Sequence, residues 1–193
     1  KAQLPQGYIL EAQEGEWTWG MAPIYDKAGK LHIFNSVIPN DGNWAKHSRI
    51  VHWVADSVAG PYTLLGDVFA SDEASYHNPQ ISKVGETYGS KQEVGIATAQ
   101  SLLGPWQESP HNPVIAASGK MGAHNIVHAS NPTFVLTPEG RYRIYFKSMT
   151  DALPTRKGFR EISFAESDRI EGPYTNYVHN PVLTYAEQQV DIE

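Results

Sequence analysis

The sequence has no cysteine, which excludes disulfide staples, thiol nucleophiles and thiolate metal sites. It has no apolar run near the roughly 20 residues that a membrane-spanning helix needs. Basic charge is not in excess either: 15 Lys and Arg face 21 Asp and Glu, for a net charge of −6. Nothing electrostatic therefore favours nucleic acid, whose binding rests on clustered Lys and Arg. Helix signals are scarce, since no stretch joins caps to a 3.6-residue period, and little helix is expected. The chain opens at Lys1 with no hydrophobic leader, and the expectation is an exported protein, secreted or periplasmic. Composition sets no oligomeric state.

What the chain does have is a unit repeated three times. Each copy opens with a small or polar residue before proline, at Ala22-Pro23, Asn78-Pro79 and Asn131-Pro132. Each closes on a Gly-Pro-aromatic turn, at Gly60-Pro61-Tyr62, Gly104-Pro105-Trp106 and Gly172-Pro173-Tyr174. Five Trp and ten Tyr supply flat apolar faces with polar edges, suited to packing between sheets and to stacking on sugar rings. A period of a little over fifty residues filled with short strands and turns is the pattern of propeller blades. The expected fold is all-β, a β-propeller of four-stranded antiparallel blades, of which about three are present. Blade one spans about 17–71, blade two about 72–116 and blade three about 124–184, and a fourth blade begins at 190–193. Within blade one the alternation predicts strands over Met21–Tyr25, Leu31–Ser36 and Arg49–Val54, and blade three repeats the plan. Blade two is about a dozen residues shorter than its neighbours. Residues are expected to be missing between Tyr88 and Gln92, because a blade without an interior strand would leave backbone groups unpaired. Three blades cannot close a ring, so the chain is expected to be part of a longer protein.

The order and spacing of these features resemble the five-bladed β-propeller glycosidases, glycoside hydrolase family 43 and its relatives in families 32, 62, 68 and 117. The markers are Trp19-Gly20-Met21-Ala22-Pro23, the Lys30–Phe34 strand, the Gly-Pro-aromatic closures, and the blade ends His111-Asn112-Pro113-Val114 and His179-Asn180-Pro181-Val182. The resemblance implies cleavage of a glycosidic bond in a plant or algal oligosaccharide, with an Asp at the first and third blade openings and a Glu acid at the fourth. Two carboxyl groups are what such hydrolysis needs, one to protonate the leaving oxygen and one to activate water or attack. In this chain the two Asp positions carry Ala22 and Asn131, and only Glu193 keeps its acid. The resemblance implies no cofactor, although some relatives hold a structural cation in the central channel.

The departure turns attention to histidine, whose pKa suits proton transfer near neutrality. His77 precedes the second opening, and His124 and His128 precede the third. Glu193 as acid with His77 or His128 (or Asp26) as base is the expected catalytic set, against ordinary hydrogen bonding at blade edges. Trp19, His47, Asn78, His124 and Asn131 are the expected substrate contacts, against packing and strand capping. Trp17 and Trp44 are further stacking candidates, while Arg49, Lys147, Lys157 and Arg160 are candidates to read a carboxylated or sulfated sugar. His32, His52, His111 and His179 read as structural, and Trp53 and Trp106 as packing residues. The four-residue spacing of His124 and His128 would suit zinc on a helix, but the segment reads as loop. Two alternatives stay open: a catalytically inactive sugar-binding propeller, and a polysaccharide lyase with a histidine base.

Overall fold

A computed structural model describes residues 14–40, 47–70, 75–76, 81–83, 91–120, 123–125, 128–149 and 160–184. The elements among the described residues are all β-strands. No helix among the described residues is long and apolar enough to cross a membrane.

Blade one is a meander of β1 (Glu16–Tyr25), β2 (Leu31–Pro39), β3 (Arg49–Ala55) and β4 (Thr63–Phe69), paired in chain order and antiparallel. The β1–β2 hairpin is set by Asp26, whose Oδ1 accepts the Ala28 and Lys30 N–H groups at 2.9 and 2.8 Å. Such an Asx turn is the local preference of Asp between two strands. Strand β2 is buried on both faces from Leu31 to Ile38, as expected of a sheet with other layers on either side. One face joins Leu31, Ile33, Val37, Val51 and Trp53 in an apolar cluster. Within it the Trp53 indole donates to Asn35 Oδ1 at 2.9 Å. The other face carries His32, Phe34 and His52, all buried. Arg49 laces the blade across its strands, with Nη2 on Glu16 and Nε on Asp67, both at 2.8 Å. Strand β5 (Ser75–Tyr76) follows, and its Tyr76 ring stacks on Phe69.

The second compact unit holds blades two and three. Blade two is built of short pieces: β6 (Ile81–Lys83) pairs with β7 (Lys91–Glu93), and β8 (Ala97–Thr98) with β9 (Gln107–Glu108). Blade three repeats the order of blade one in β10 (Ala129–Leu136), β11 (Tyr142–Met149), β12 (Arg160–Ser167) and β13 (Thr175–Asn176). One core joins the two blades: Val94, Val114 and Ile115 pack with Ala129, Ile144, Phe146 and Ala165. Burying these side chains is worth about 1.5–3 kcal/mol for each large aliphatic or aromatic one.

The strands run longer than the alternation predicts, because pairing continues through polar residues such as Asn35 and Ser148 that the core satisfies internally. Of the Tyr88–Gln92 junction, where residues are expected to be missing, 88–90 lie outside the described residues, and Lys91 and Gln92 stand in β7.

The repeat is structural as well as sequential. The closing glycines Gly60, Gly104 and Gly172 have φ of 78°, 83° and 93°. At each, a Cβ would lie 3.1–3.2 Å from the following aromatic residue. The Gly-Pro-aromatic pattern thus combines a left-handed backbone with a ring folded back over it. Tyr62 and Tyr174 then donate their hydroxyls to the carbonyls of Val58 and Ile170.

Candidate functional site at the opening of blade three

The inner strand of blade three begins regularly and then breaks. Ala129 pairs with Ser148 and Ser130 with Lys147, after which the register shifts before Thr133. Asn131 sits in that break with φ of 49° and an exposed side chain. Asn tolerates this left-handed conformation better than most side chains, and a bulge re-aims the residues around it. Blade one has its counterpart between Trp19 and Met21, where Gly20 has φ of 54°. Ala22 lies just beyond it, opposite Phe34 and exposed.

One step before β10, His128 bridges in parallel to Gln92 at the edge of blade two. Its Nε2 is buried without a hydrogen-bond partner. Burial, together with the Lys147 and Arg160 charges, pushes its pKa down to about 4. The imidazole is therefore neutral at pH 7, able to accept a proton but not to serve as an acid. Ser130 is fully buried, and its Oγ likewise has no partner. The β11–β12 register pairs Met149 with Arg160 and Lys147 with Ile162, so Lys147 and Arg160 are diagonal neighbours on one face. The opposite face carries Ser148, whose Oγ lies 2.9 Å from Ser163 Oγ. Glu161, buried, pairs with Ser148 in the register.

His124 is placed differently. Its ring is tilted beside Phe146 at 6.3 Å, toward the apolar core, and burial lowers its pKa. Its Nε2 is also buried and unpartnered. The loop is held by Asn125, which is buried and donates to the Ala116 carbonyl at 2.8 Å. Both histidines thus precede β10, in the segment that leads into blade three. Among the described residues no three His, Asp or Glu side chains converge to hold an ion.

The other candidates distribute as follows. Trp19 is 58% exposed on β1, opposite Ser36, with Trp17 exposed beside it. His47 is exposed, next to buried Ser48. Arg49, a candidate for binding an acidic sugar, already engages two carboxylates. His77, Asn78, Trp44, Lys157 and Glu193 lie outside the described residues. Ser130 was not singled out in the sequence. Its signal is a small polar residue at a position that strand alternation buries, directly before Asn131-Pro132.

No protein-family model and no curated protein matches the sequence. Solved structures do match. A family 117 glycoside hydrolase produced by the marine bacterium Zobellia galactanivorans superposes with a TM-score of 0.68 at 17% identity, over 88% of this chain and 58% of that one. A thermostable family-43 glycoside hydrolase gives 0.57 at 18% identity, over 90% of this chain and 58% of that one. Fructan 1-exohydrolase IIa from Cichorium intybus, in complex with 1-kestose, gives 0.60 at 17%, over 88% of this chain and 33% of that one. The chain therefore spans a little over half the length of the first two. At such identities the likeness speaks to fold. The blades described above are those of part of a five-bladed β-propeller, the architecture of these glycoside hydrolases.

Proposed function

We propose that this chain belongs to an exported carbohydrate-active propeller that cleaves a glycosidic bond of a plant or algal oligosaccharide by hydrolysis, with a base other than aspartate. The observation that carries this reading is His128, a neutral imidazole with a buried, unpartnered Nε2 at the opening of a blade inner strand. It stands three residues before Asn131, which occupies the place of a family carboxylate. In this scheme Glu193 donates a proton to the leaving oxygen, and His128 or His77 takes one from the attacking water. Water adds across the broken C–O bond, one proton in and one out. Asn131 and His124 are the proposed sugar contacts of blade three, and Trp19 and His47 those of blade one.

Two alternatives each have an observation in their favour. Lys147 and Arg160 beside His128 suit a lyase, in which cations neutralise a uronate carboxylate while the base removes the adjacent proton and the glycosidic oxygen departs. Ala22 and Asn131 in the acid positions suit a propeller that binds sugar without cleaving it. Mass spectrometry of products from the full-length protein separates the three. A gain of one water supports the hydrolase, and loss of that activity in Glu193→Gln and His128→Gln assigns acid and base. A product with a new double bond and no added water would replace it with the lyase. Binding without cleavage across the panel would leave only the binding propeller.

A further inference from the structure

The groups around the blade-three opening share a property that the hydrolase reading does not use. Ser130 is fully buried with its hydroxyl unpartnered, and His128 has a buried, unpartnered Nε2. Lys147 stands directly across from Ser130, and Arg160 is its diagonal neighbour on the next strand. A hydroxyl and an imidazole N–H can donate hydrogen bonds, and ammonium and guanidinium groups can only donate. Two of the described carboxylates face elsewhere. Glu166 is bound by Arg143 at the far end of the blade, and Glu161 alternates to the other face, opposite Ser148. Lys147 and Arg160 also have further interactions within the chain.

A neutral sugar presents hydroxyls that both give and accept, and it leaves a cluster of donors half used. A carboxylate or sulfate ester presents only acceptors, and bonds between such groups and cations are the stronger, charge-assisted kind. We propose that the opening of blade three is a subsite for an anionic sugar, its carboxylate or sulfate received by Ser130, Lys147 and Arg160 beside His128. The inference rests on the reading of this opening as a sugar site and adds the substrate class to it. A bound anion would also offset the two cations that press on His128 and raise its proton affinity toward that of an ordinary imidazole.

The test is calorimetric titration of the full-length protein with matched pairs. These are trigalacturonate against its methyl ester, and a sulfated galactose oligosaccharide against its desulfated form. The expected result is that one charged member binds at least ~10-fold more tightly than its neutral partner. The preference should shrink as salt rises, because screening weakens charge attraction. Which pair shows it distinguishes carboxylate from sulfate. Lys147→Gln and Arg160→Gln should each weaken the charged ligand by ~5–50-fold and change the neutral one less than about 2-fold. Circular dichroism of each variant checks the fold, and Ser130→Ala gives a second, milder variant. As an independent readout, the His128 imidazole followed by NMR should titrate at higher pH with the charged ligand bound. Equal affinity for both members of each pair, or an unchanged preference in both cation variants, overturns the anionic subsite and leaves sugar binding intact. Absence of binding to every charged and neutral oligosaccharide overturns the subsite and the sugar-site reading together.

Discussion

Asn180 clamps Phe164 by both edges of its amide: the Phe164 N–H donates to Asn180 Oδ1 at 3.0 Å, and Asn180 Nδ2 donates to the Phe164 carbonyl at 2.8 Å. Blade two repeats the arrangement between Asn112 and Ile96, at 2.8 and 3.0 Å. In both blades the side chain supplies the acceptor for the strand N–H and a second donor to a carbonyl that also accepts a backbone N–H, from Tyr177 and from Ser109. Asn180→Ala removes both bonds and should cost about 1–3 kcal/mol. Asn180→Asp should cost at least as much, since it keeps an acceptor for the Phe164 N–H but sets a carboxylate oxygen against the Phe164 carbonyl, which retains only the Tyr177 N–H. Urea unfolding of the two variants checks the order.

His32 and His52 make a buried pair, with His32 Nδ1 2.8 Å from His52 Nε2 and the His52 ring stacked on Phe34. Asp26 covers the far side of His32 at 3.5 Å. Its carboxyl is held below the usual range first by the Lys30 N–H and then by His32. Burial, then His32, depresses the His52 pKa to about 4. A depressed imidazole binds its proton more readily in the unfolded chain. Stability is therefore whole above about pH 6.5 and is lost as pH falls from there through about 4. The loss from His52 should reach about 3 kcal/mol by pH 4. His128 contributes over the same window, so His52→Gln should flatten the stability curve only in part. Denaturant midpoints from pH 7 to 4 measure it, and an unchanged slope would count against the buried neutral pair.

Gly172 and Gly29 both have left-handed φ, at 93° and 82°, but differ in surroundings. A Cβ at Gly172 would meet Tyr174 at 3.2 Å, whereas at Gly29 nothing lies within 4 Å. Alanine should cost about 1 kcal/mol at Gly29 from the backbone alone. At Gly172 it should cost about 1–2 kcal/mol more, because the aromatic ring must shift. Thermal melting of the two variants compares them directly.

Trp53 donates to Asn35 in the core of blade one, and Asn35 is fully buried. Trp53→Phe keeps most of the apolar contact but removes the donor to Asn35 Oδ1. A cost of about 1–3 kcal/mol is expected. The double variant with Asn35→Leu should recover part of it if the cost is the stranded carbonyl rather than the lost ring volume.

His128 is neutral down to about pH 4. If it is the base, kcat/KM should hold steady on the acid side until pH falls toward about 4, well below where an ordinary histidine would switch off. Removing one of the two cations raises that limb, so Lys147→Gln should move it to higher pH. A limb near 6.5 in the unaltered protein would assign the base elsewhere.

The blade repeat was legible because its punctuation is local. Gly60, Gly104 and Gly172 need a positive φ, Asp26 writes its own turn, and the alternation of β11 marks which residues turn inward. Each of these is decided by the residue and its neighbours in the chain. The same locality explains what was hidden. Whether Ser130 is buried depends on the strands on either side of it, and whether His128 is neutral depends first on its burial and then on Lys147 and Arg160, which lie on two other strands. The sequence by itself determined the strands, the turns and the three-fold period, through backbone sterics and hydrophobic alternation that act over a few residues. Only the tertiary structure decided which polar groups were left without partners and which charges stand beside them. Desolvation and Coulomb attraction depend on proximity in space, and pairing of β10, β11 and β12 is what brings those residues together.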